Sequence, residues 1–177
     1  ADEVIPFMPQ FIIIYFGCYL FWVVNYFMAS MREEKVKYRF FTADFYARLV
    51  CMLCFIFYPT TNTRPVLAGT DIWTQAVRFL YTVDKPINLF PSIHCIISLL
   101  CYLGLHKSDK ISVKTKMGVL IFALLIFAST QFTKQHYIVD VISGVILTLL
   151  CYNIAMRTDL YKPVMAVFER INEKLFR

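Results

Sequence analysis

Charged residues are scarce in this chain. Asp, Glu, Lys and Arg make up only 17% of its 177 residues, whereas 59% are hydrophobic and 17% are aromatic. A soluble domain of this length would carry more charge and less phenylalanine. The composition therefore argues against a soluble enzyme and predicts a polytopic membrane protein.

The sequence also lacks linkers, repeats and processing signals. No stretch rich in Pro, Gly or Ser divides it, and it contains no internal repeat or low-complexity tract. We therefore expect residues 1–177 to form a single domain. No basic region precedes the first apolar run and no Ala-x-Ala-like cleavage site follows it, so residues 4–28 predict a spanning helix and not a signal peptide.

Long apolar runs make up most of the sequence. A helix needs about 20 residues to cross a bilayer, and somewhat fewer when its ends are polar. Five segments meet this requirement, approximately 4–28, 43–59, 91–106, 116–133 and 136–156. In the 60–90 loop a short interfacial helix is predicted by the helical spacing of Ile72, Trp73, Ala76, Val77 and Leu80. The predicted fold is an all-α bundle of about five transmembrane helices.

Basic residues are distributed unequally between the two sides of these spans. Fourteen of the eighteen Lys and Arg fall on one side, and the other side holds only Arg64, Arg78, Lys85 and Lys134. The positive-inside rule then places the N-terminus outside and the C-terminus in the cytoplasm. The tail from about 160 to 177 carries apolar residues on one helical face, so we expect a cytoplasmic amphipathic helix there.

The six cysteines all lie within apolar runs. Cys51 and Cys54 form a C-x-x-C pair, but no second pair or suitably spaced histidine accompanies them. Free cysteine usually acts as a small buried hydrophobe, so neither a disulfide framework nor a metal site is predicted.

Two short polar signatures stand inside these apolar surroundings, where ionisable groups are costly and mark a functional site by default. The first is Pro91-Ser92-Ile93-His94, in which Pro and Ser are typical of a helix start whose free N–H groups and dipole bind phosphate. His94 could deliver a proton to a leaving oxygen. The alternative is a capped helix with an interfacial histidine. Nearby, Arg64 offers a planar fork of donors suited to phosphate, although a solvated loop arginine is the commoner case.

The second signature begins at Ser129-Thr130 and continues through Lys134 to His136 and Asp140. Four residues apart on a helix, His136 and Asp140 would share one face. The carboxylate would then fix the histidine tautomer and present the other ring nitrogen for nucleophilic attack. The alternative is a buried pair that only satisfies itself.

Together with Arg64-Pro65, the two signatures resemble the motifs of the type 2 phosphatidic acid phosphatase (PAP2) superfamily, which includes lipid phosphate phosphatases, sphingolipid phosphotransferases and vanadium haloperoxidases. The family motifs are Lys-x6-Arg-Pro, Pro-Ser-x-His and Ser-Arg-x5-His-x3-Asp. In this sequence they appear in order as Phe57-x6-Arg64-Pro65, Pro91-Ser92-Ile93-His94 and Ser129-Thr130-x5-His136-x3-Asp140. The resemblance covers residues 57–140, which would form the core of a PAP2-like transmembrane domain.

The sequence departs from the family pattern at two cations. Phe57 stands where the family has lysine, and Thr130 stands where it has arginine. Lys134, one helical turn after Thr130, could supply charge to the same pocket, and Lys85 is a more distant source. This divergence resembles some bacterial members and the sphingolipid-synthase branch. The family core commonly has six spans, against the five found here.

The resemblance implies a role for each signature residue. His136 would attack phosphorus and form a phosphohistidine, with Asp140 orienting it. His94 would protonate the leaving group and later activate water. The phosphoryl oxygens would be held by the remaining groups of the motifs and their neighbour, namely Arg64, Ser92, Ile93, Ser129 and Lys134. No metal or other cofactor is implied.

We therefore expect an integral membrane enzyme of a bacterial cell membrane, with its active site facing outside. It would hydrolyse a phospholipid or polyprenyl (pyro)phosphate, and its partners would be that substrate and membrane lipids, not nucleic acid. The alternatives are a lipid phosphotransferase with an alcohol acceptor and a catalytically weak lipid-binding protein. The sequence leaves the head group, the chain type and the oligomeric state open.

Overall fold

The computed structural model describes residue 2 and residues 4–175, and the described chain folds into helices. A single 3-10 turn, Pro9–Phe11, leads into the first helix. The helices are α1 (Ile12–Ser30), α2 (Glu34–Phe57), α3 (Ile72–Val83), α4 (Ile93–Leu105), α5 (Val113–Phe132), α6 (Ile138–Arg157) and α7 (Tyr161–Leu175). The described residues form no strand beyond one isolated bridge between Thr61 and Ile87. The all-helical prediction is confirmed.

Four helical stretches are long and apolar enough to cross a membrane. They are Pro9–Ser30, Glu34–Phe57, Val113–Phe132 and Ile138–Arg157. The fifth predicted segment is α4, an apolar helix of only 13 residues. At a rise of 1.5 Å per residue it is about 20 Å long, against about 30 Å for a hydrocarbon core. Apolarity located this segment correctly but did not show how short its helix is.

α4 lies at the centre of the bundle. It packs against α1, α2, α5 and α6, and ten of its side chains are buried. A helix that is apolar all round is stable only when neighbours cover every face. Arg32, just after α1, donates to the carbonyl of Gly104 in the last turn of α4 at 2.8 Å, so both helices end at one level. Because α1 has 19 residues and α4 has 13, α4 begins about 9 Å inside the start of α1.

The C-terminal helix α7 lies in the segment for which an amphipathic tail was predicted, and residues 176–177 lie outside the described part of the chain. It packs on α2, where the Phe168 ring lies 6.3 Å from the rings of both Tyr38 and Phe41. α2 itself begins at Glu34, earlier than the predicted 43. The first residues of α2 include the charged Lys37 and Arg39, so a search for apolar runs does not detect them. A helix can carry charge where it leaves the apolar layer.

α3 is the predicted short helix of the 60–90 loop. It packs against the N-terminal end of α1 and the 3-10 turn before it. Its N-cap, Asp71, accepts hydrogen bonds from the backbone N–H groups of Trp73 and Thr74 at 3.0 and 3.1 Å. Val77 and Leu80 pack in a cluster with Ile12 and Tyr15. On the predicted apolar face Val77 and Leu80 are buried, whereas Ile72, at the start of the helix, is 72% exposed. α3 therefore packs part of its apolar face against protein.

The closest approach between α4 and α6 occurs at Gly144. A Cβ atom there would lie 2.8 Å from the backbone oxygen of Ser92 and 3.3 Å from the Cβ of Cys95. Only glycine lets the backbone of α6 pass the start of α4 at this distance. By contrast, a Cβ at Gly118 of α5 would meet no atom within 4 Å.

We predict that Gly144→Ala forces α6 away from α4 and destabilises the protein by about 1–3 kcal/mol, the usual cost of overpacking. Gly118→Ala is the matched control and should leave the thermal midpoint in detergent unchanged or slightly higher, because alanine favours helix. Equal midpoints for the two variants would contradict the close approach described here.

Candidate active site

The two polar signatures and the Arg64 loop meet at the end of the bundle where α4 and α6 begin, which we refer to as the motif end. A cavity of about 510 Å³ opens there. Its walls come from the segment before α1, the loop after α2, and the connection between α5 and α6. The lining residues are Asp2, Ile5, Phe7, Asn62, Thr63, Arg64, Pro65, Gln131, Lys134, His136 and Tyr137.

His94 lies in the first turn of α4 and is almost fully buried. Ser92 caps this helix, accepting a long hydrogen bond of 3.4 Å from the N–H of Cys95. The His94 ring packs between Tyr15 and Trp22 of α1, at centroid distances of 4.7 and 5.5 Å. Both ring nitrogens are buried and have no partner among the described residues. The imidazole is therefore fixed in place by aromatic contacts and not by hydrogen bonds.

His136 lies just outside α6, and this corrects the prediction that it shares a helical face with Asp140. The helix begins after Tyr137, its N-cap. The contact with Asp140 nevertheless forms, with His136 Nδ1 3.4 Å from Asp140 Oδ2. Asp140 reaches back because its carboxylate also accepts the Tyr137 N–H at 2.8 Å. One side chain thus caps the helix and faces the histidine, leaving His136 Nε2 on the far side of the ring.

Backbone hydrogen bonds hold the two histidines near each other. The N–H of Ser92 donates to the carbonyl of Asp140 at 3.0 Å, which joins the start of α4 to the first turn of α6. The N–H of His136 donates to the carbonyl of Thr130 at the end of α5. As a result the rings of His94 and His136 lie 5.7 Å apart between centroids.

Arg64 reaches the same place from the loop after α2. Its Nη2 donates to Gln135 Oε1 and its Nη1 to the carbonyl of Tyr81 at 3.4 Å. The guanidinium also lies 4.3 Å from the centre of the Tyr81 ring, whose hydroxyl donates to the carbonyl of Thr133 at 2.8 Å. Burial lowers the pKa of Arg64, and the nearby Asp84 carboxylate opposes that effect. A partly desolvated guanidinium of this kind gains more from an anion than a solvated one.

Lys134 lines the cavity together with Arg64 and His136. Its backbone is in the left-handed region, with φ of 56°, and its Nζ donates to the carbonyls of Ile5 at 2.5 Å and Asp2 at 3.1 Å. The ammonium therefore brings charge to the cavity and also secures the segment before α1. Lys85, the more distant cation, is exposed and does not line the cavity.

The remaining signature residues lie around the cavity and do not line it. Ser129 is buried and its hydroxyl donates to the carbonyl of Ile126 at 2.7 Å. Thr130, at the position of the family arginine, uses its hydroxyl in the same way on Phe127 at 2.8 Å. Phe57, at the position of the family lysine, is 80% exposed. Neither replacement therefore places a polar group in the cavity.

Several residues at the motif end were not predicted from the sequence. Asn62 donates to the carbonyls of Lys134 and Gln135 at 3.0 and 3.2 Å, fastening the Arg64 loop to the connection before α6. Asp84 accepts the Tyr15 hydroxyl at 2.8 Å. Gln135 was not predicted either. Its position directly before His136 was the available sequence signal, because a polar residue next to a signature residue can share its site. Nothing in a single sequence marks Tyr15.

The cysteines do not line this cavity. Four of the six thiols are buried and two are partly buried, and all are unpaired. Within residue 2 and residues 4–175, no three His, Cys, Asp or Glu side chains come together in a way that would hold a metal ion.

At the motif end His136, Arg64 and Lys134 thus line one cavity, while Asp140 and His94 lie next to His136 and do not line it. The family model described as the PAP2 superfamily matches residues 8–154. The chain belongs to the PAP2 superfamily. This membership supports an enzyme of the lipid phosphatase type in general. No curated protein and no solved structure gives a significant match.

Asp140 makes two contacts, and two substitutions should separate them. Asp140→Asn keeps an oxygen that can accept the Tyr137 N–H, so we expect a nearly unchanged thermal midpoint. Losing the charge beside His136 should still slow turnover by about 100-fold or more. Asp140→Ala also loses the cap and should cost about a further 1 kcal/mol of stability. If Asp140→Asn turned over at the normal rate, the carboxylate would have only a structural role.

Proposed function

We propose that this protein is a membrane lipid phosphatase that hydrolyses a phospholipid or polyprenyl (pyro)phosphate through a phosphohistidine on His136. The observation that carries the proposal is the placement of two histidine rings 5.7 Å apart beside a cavity that Arg64 and Lys134 also line. A nucleophile, an acid and two cations are the parts that metal-free phosphoryl transfer requires.

In the first step His136 Nε2 attacks phosphorus, because Nδ1 faces Asp140. The bond from phosphorus to the lipid oxygen breaks, and protonated His94 gives its proton to that oxygen. In the second step neutral His94 takes a proton from water, which attacks the phosphohistidine. The P–N bond breaks, inorganic phosphate leaves, and His94 is again protonated.

Charge on the phosphoryl oxygens is balanced from three directions in this proposal. Arg64 and Lys134 supply full positive charges from the cavity wall. The start of α4, at Ser92 and Ile93, supplies the partial positive charge of a helix N-terminus. Ser129 lies buried at the end of α5 and completes the proposed set. In a site that excludes water such charges act strongly on the transition state.

The proposed orientation places the motif end at the outer face of a bacterial cell membrane. It is supported by the basic residues, of which fourteen of eighteen belong to the opposite end and to the connections there. The positive-inside rule assigns that basic end to the cytoplasm. α7 would then lie at the cytoplasmic surface.

A lipid phosphotransferase is the second candidate, in which an alcohol replaces the attacking water. A second cavity at the motif end, of about 330 Å³, favours this candidate, because it shares Tyr137 with the first cavity and is also lined by Asp140. Its other lining residues are Tyr58, Thr60, Thr61, Leu89, Phe90 and Val139. An acceptor with an apolar chain would suit such walls.

The decisive experiment is a substrate panel with purified protein in detergent. We expect release of inorganic phosphate from at least one of phosphatidic acid, phosphatidylglycerol phosphate, a prenyl phosphate or a prenyl pyrophosphate. His136→Ala should abolish that release because it removes the nucleophile. His106→Ala is the matched control, since this third histidine lies at the opposite end of α4, and it should keep most of the activity.

Two other outcomes decide between the proposed functions. A new phosphorylated lipid that forms from an added alcohol without phosphate release would favour the transferase. Equal turnover by the wild type and His136→Ala would contradict both enzymatic proposals and leave a lipid-binding protein.

The contribution of Lys134 can be tested against that of Lys85. Lys134→Met removes a cation from the cavity wall, so we expect orthovanadate affinity to fall by about tenfold and turnover to fall with it. Lys85→Met removes an exposed charge outside the cavity and should do much less. Orthovanadate inhibition constants measured at one ionic strength provide the comparison. Small and equal effects would leave Arg64 and the start of α4 as the anion site.

A further inference from the structure

Gln135 is a deeply buried polar side chain that contacts Arg64 and adjoins His136, two residues that line the cavity, and the proposed mechanism has no role for it. It directly precedes His136, and only 2% of its surface is exposed. Its backbone N–H donates to the carbonyl of Thr130 at 2.9 Å, and its own carbonyl accepts a hydrogen bond from Asn62 at 3.2 Å. Hydrogen bonds therefore hold both the backbone N–H and the backbone carbonyl of Gln135 in place.

The orientation of the Gln135 carboxamide follows from its neighbour. Arg64 can only donate, so the atom that contacts its Nη2 must be the carboxamide oxygen. The other end of the carboxamide is then Nε2, with two N–H donors. This nitrogen is buried and has no hydrogen-bond partner among the described residues. A buried donor left without an acceptor costs about 1–3 kcal/mol, so a polar partner is expected at this position.

Several of the buried polar groups without a partner among the described residues at the motif end are donors, and one, Asn62 Oδ1, is an acceptor. Arg64 Nε is also buried without a partner in the described chain, and it too can only donate. His94 can offer a further N–H, since neither of its ring nitrogens is paired there. An oxyanion has several acceptor oxygens and no donor groups, so it can accept hydrogen bonds from several neighbouring donors at once.

Lys134 cannot meet this need alone. Two of its three N–H donors already point to the carbonyls of Ile5 and Asp2. At the position of the family arginine, the Thr130 hydroxyl donates to its own helix. Direct donors to a phosphoryl group must therefore come largely from Arg64 and from its hydrogen-bonded neighbour.

We propose that Gln135 is a phosphoryl-binding residue, whose Nε2 donates to a non-bridging oxygen of the substrate while its Oε1 holds Arg64. This inference rests on the proposed function for the identity of the anion, a lipid phosphate. The neutral carboxamide of Gln135 would thus supply a hydrogen-bond donor to the phosphoryl group, as the family arginine would at position 130, where this chain has threonine. The hydrogen bond from Arg64 to Gln135 holds the donors of both side chains next to each other before the substrate arrives.

The sequence offers a direct test because it contains only four glutamines, namely Gln10, Gln75, Gln131 and Gln135. In detergent-solubilised protein labelled with 15N at glutamine side chains, the Gln135 carboxamide signals are identified by their loss in Gln135→Met. We expect these signals to shift on titration with orthovanadate, saturating together with binding. The exposed Gln10 and Gln75 should not move.

Affinity provides a second measurement. Gln135→Met preserves the length of the side chain without its donor, and we expect the orthovanadate Kd to rise by about tenfold to a hundredfold. Gln75→Met is the matched control, because Gln75 is an exposed residue of α3. Its carboxamide donates to the carbonyl of Thr70 at 2.7 Å. If Gln135→Met fails to fold, the Gln135 signals are assigned as those that persist in Gln10→Met, Gln75→Met and Gln131→Met, and the titration of the labelled wild type then decides alone.

The outcomes separate this inference from the proposed function. Saturable orthovanadate binding with unmoved Gln135 signals would overturn the inference, even if the wild type releases phosphate from lipids. Shifted Gln135 signals in a protein that hydrolyses no lipid phosphate would support the inference and contradict the proposed function. Absence of any orthovanadate binding would overturn the inference directly.

Discussion

One backbone hydrogen bond, from the N–H of Ser92 to the carbonyl of Asp140, joins the two polar signatures. It can form only where the start of α4 lies against the first turn of α6, and the absence of a side chain at Gly144 permits that approach. The bond fixes His94 relative to Asp140, and Asp140 in turn fixes His136. The geometry of both histidines therefore depends on a main-chain contact that no substitution of a catalytic side chain would remove.

The shortness of α4 explains how polar chemistry is tolerated inside an apolar bundle. A spanning helix of full length would carry His94 to the rim, where water competes for every hydrogen bond. Because α4 begins about 9 Å inside the start of α1, its polar first turn lies in a recess. α3 and the Arg64 loop close over this recess from the side, and Tyr15 and Trp22 enclose the imidazole. Electrostatic interactions gain strength in such a setting because less water screens them.

The sequence predicted the features that depend on period and composition. Apolar runs located each long helix, and the spacing of Val77 and Leu80 located α3. The signature residues identified the family that the match over residues 8–154 then showed. These features are local, so the residues that determine them are neighbours along the chain.

Features that depend on distant contacts were beyond the sequence. The contact between His136 and Asp140 was expected from helical spacing, yet it forms because the Asp140 carboxylate bends back to the N-cap. The buried carboxamide of Gln135 becomes interpretable only once Arg64, seventy-one positions away, is seen to hold its oxygen. The burial of α4 likewise depends on its packing against four neighbouring helices.

Lys134 draws the chain segment before α1 into the cavity wall, where Asp2, Ile5 and Phe7 stand beside His136. Whatever is joined ahead of Asp2 must therefore pass near the mouth of the cavity. An affinity tag or reporter domain attached there would crowd the opening of the cavity. α7 ends at Leu175 at the other end of the bundle, so fusions and surface immobilisation are better placed on that side.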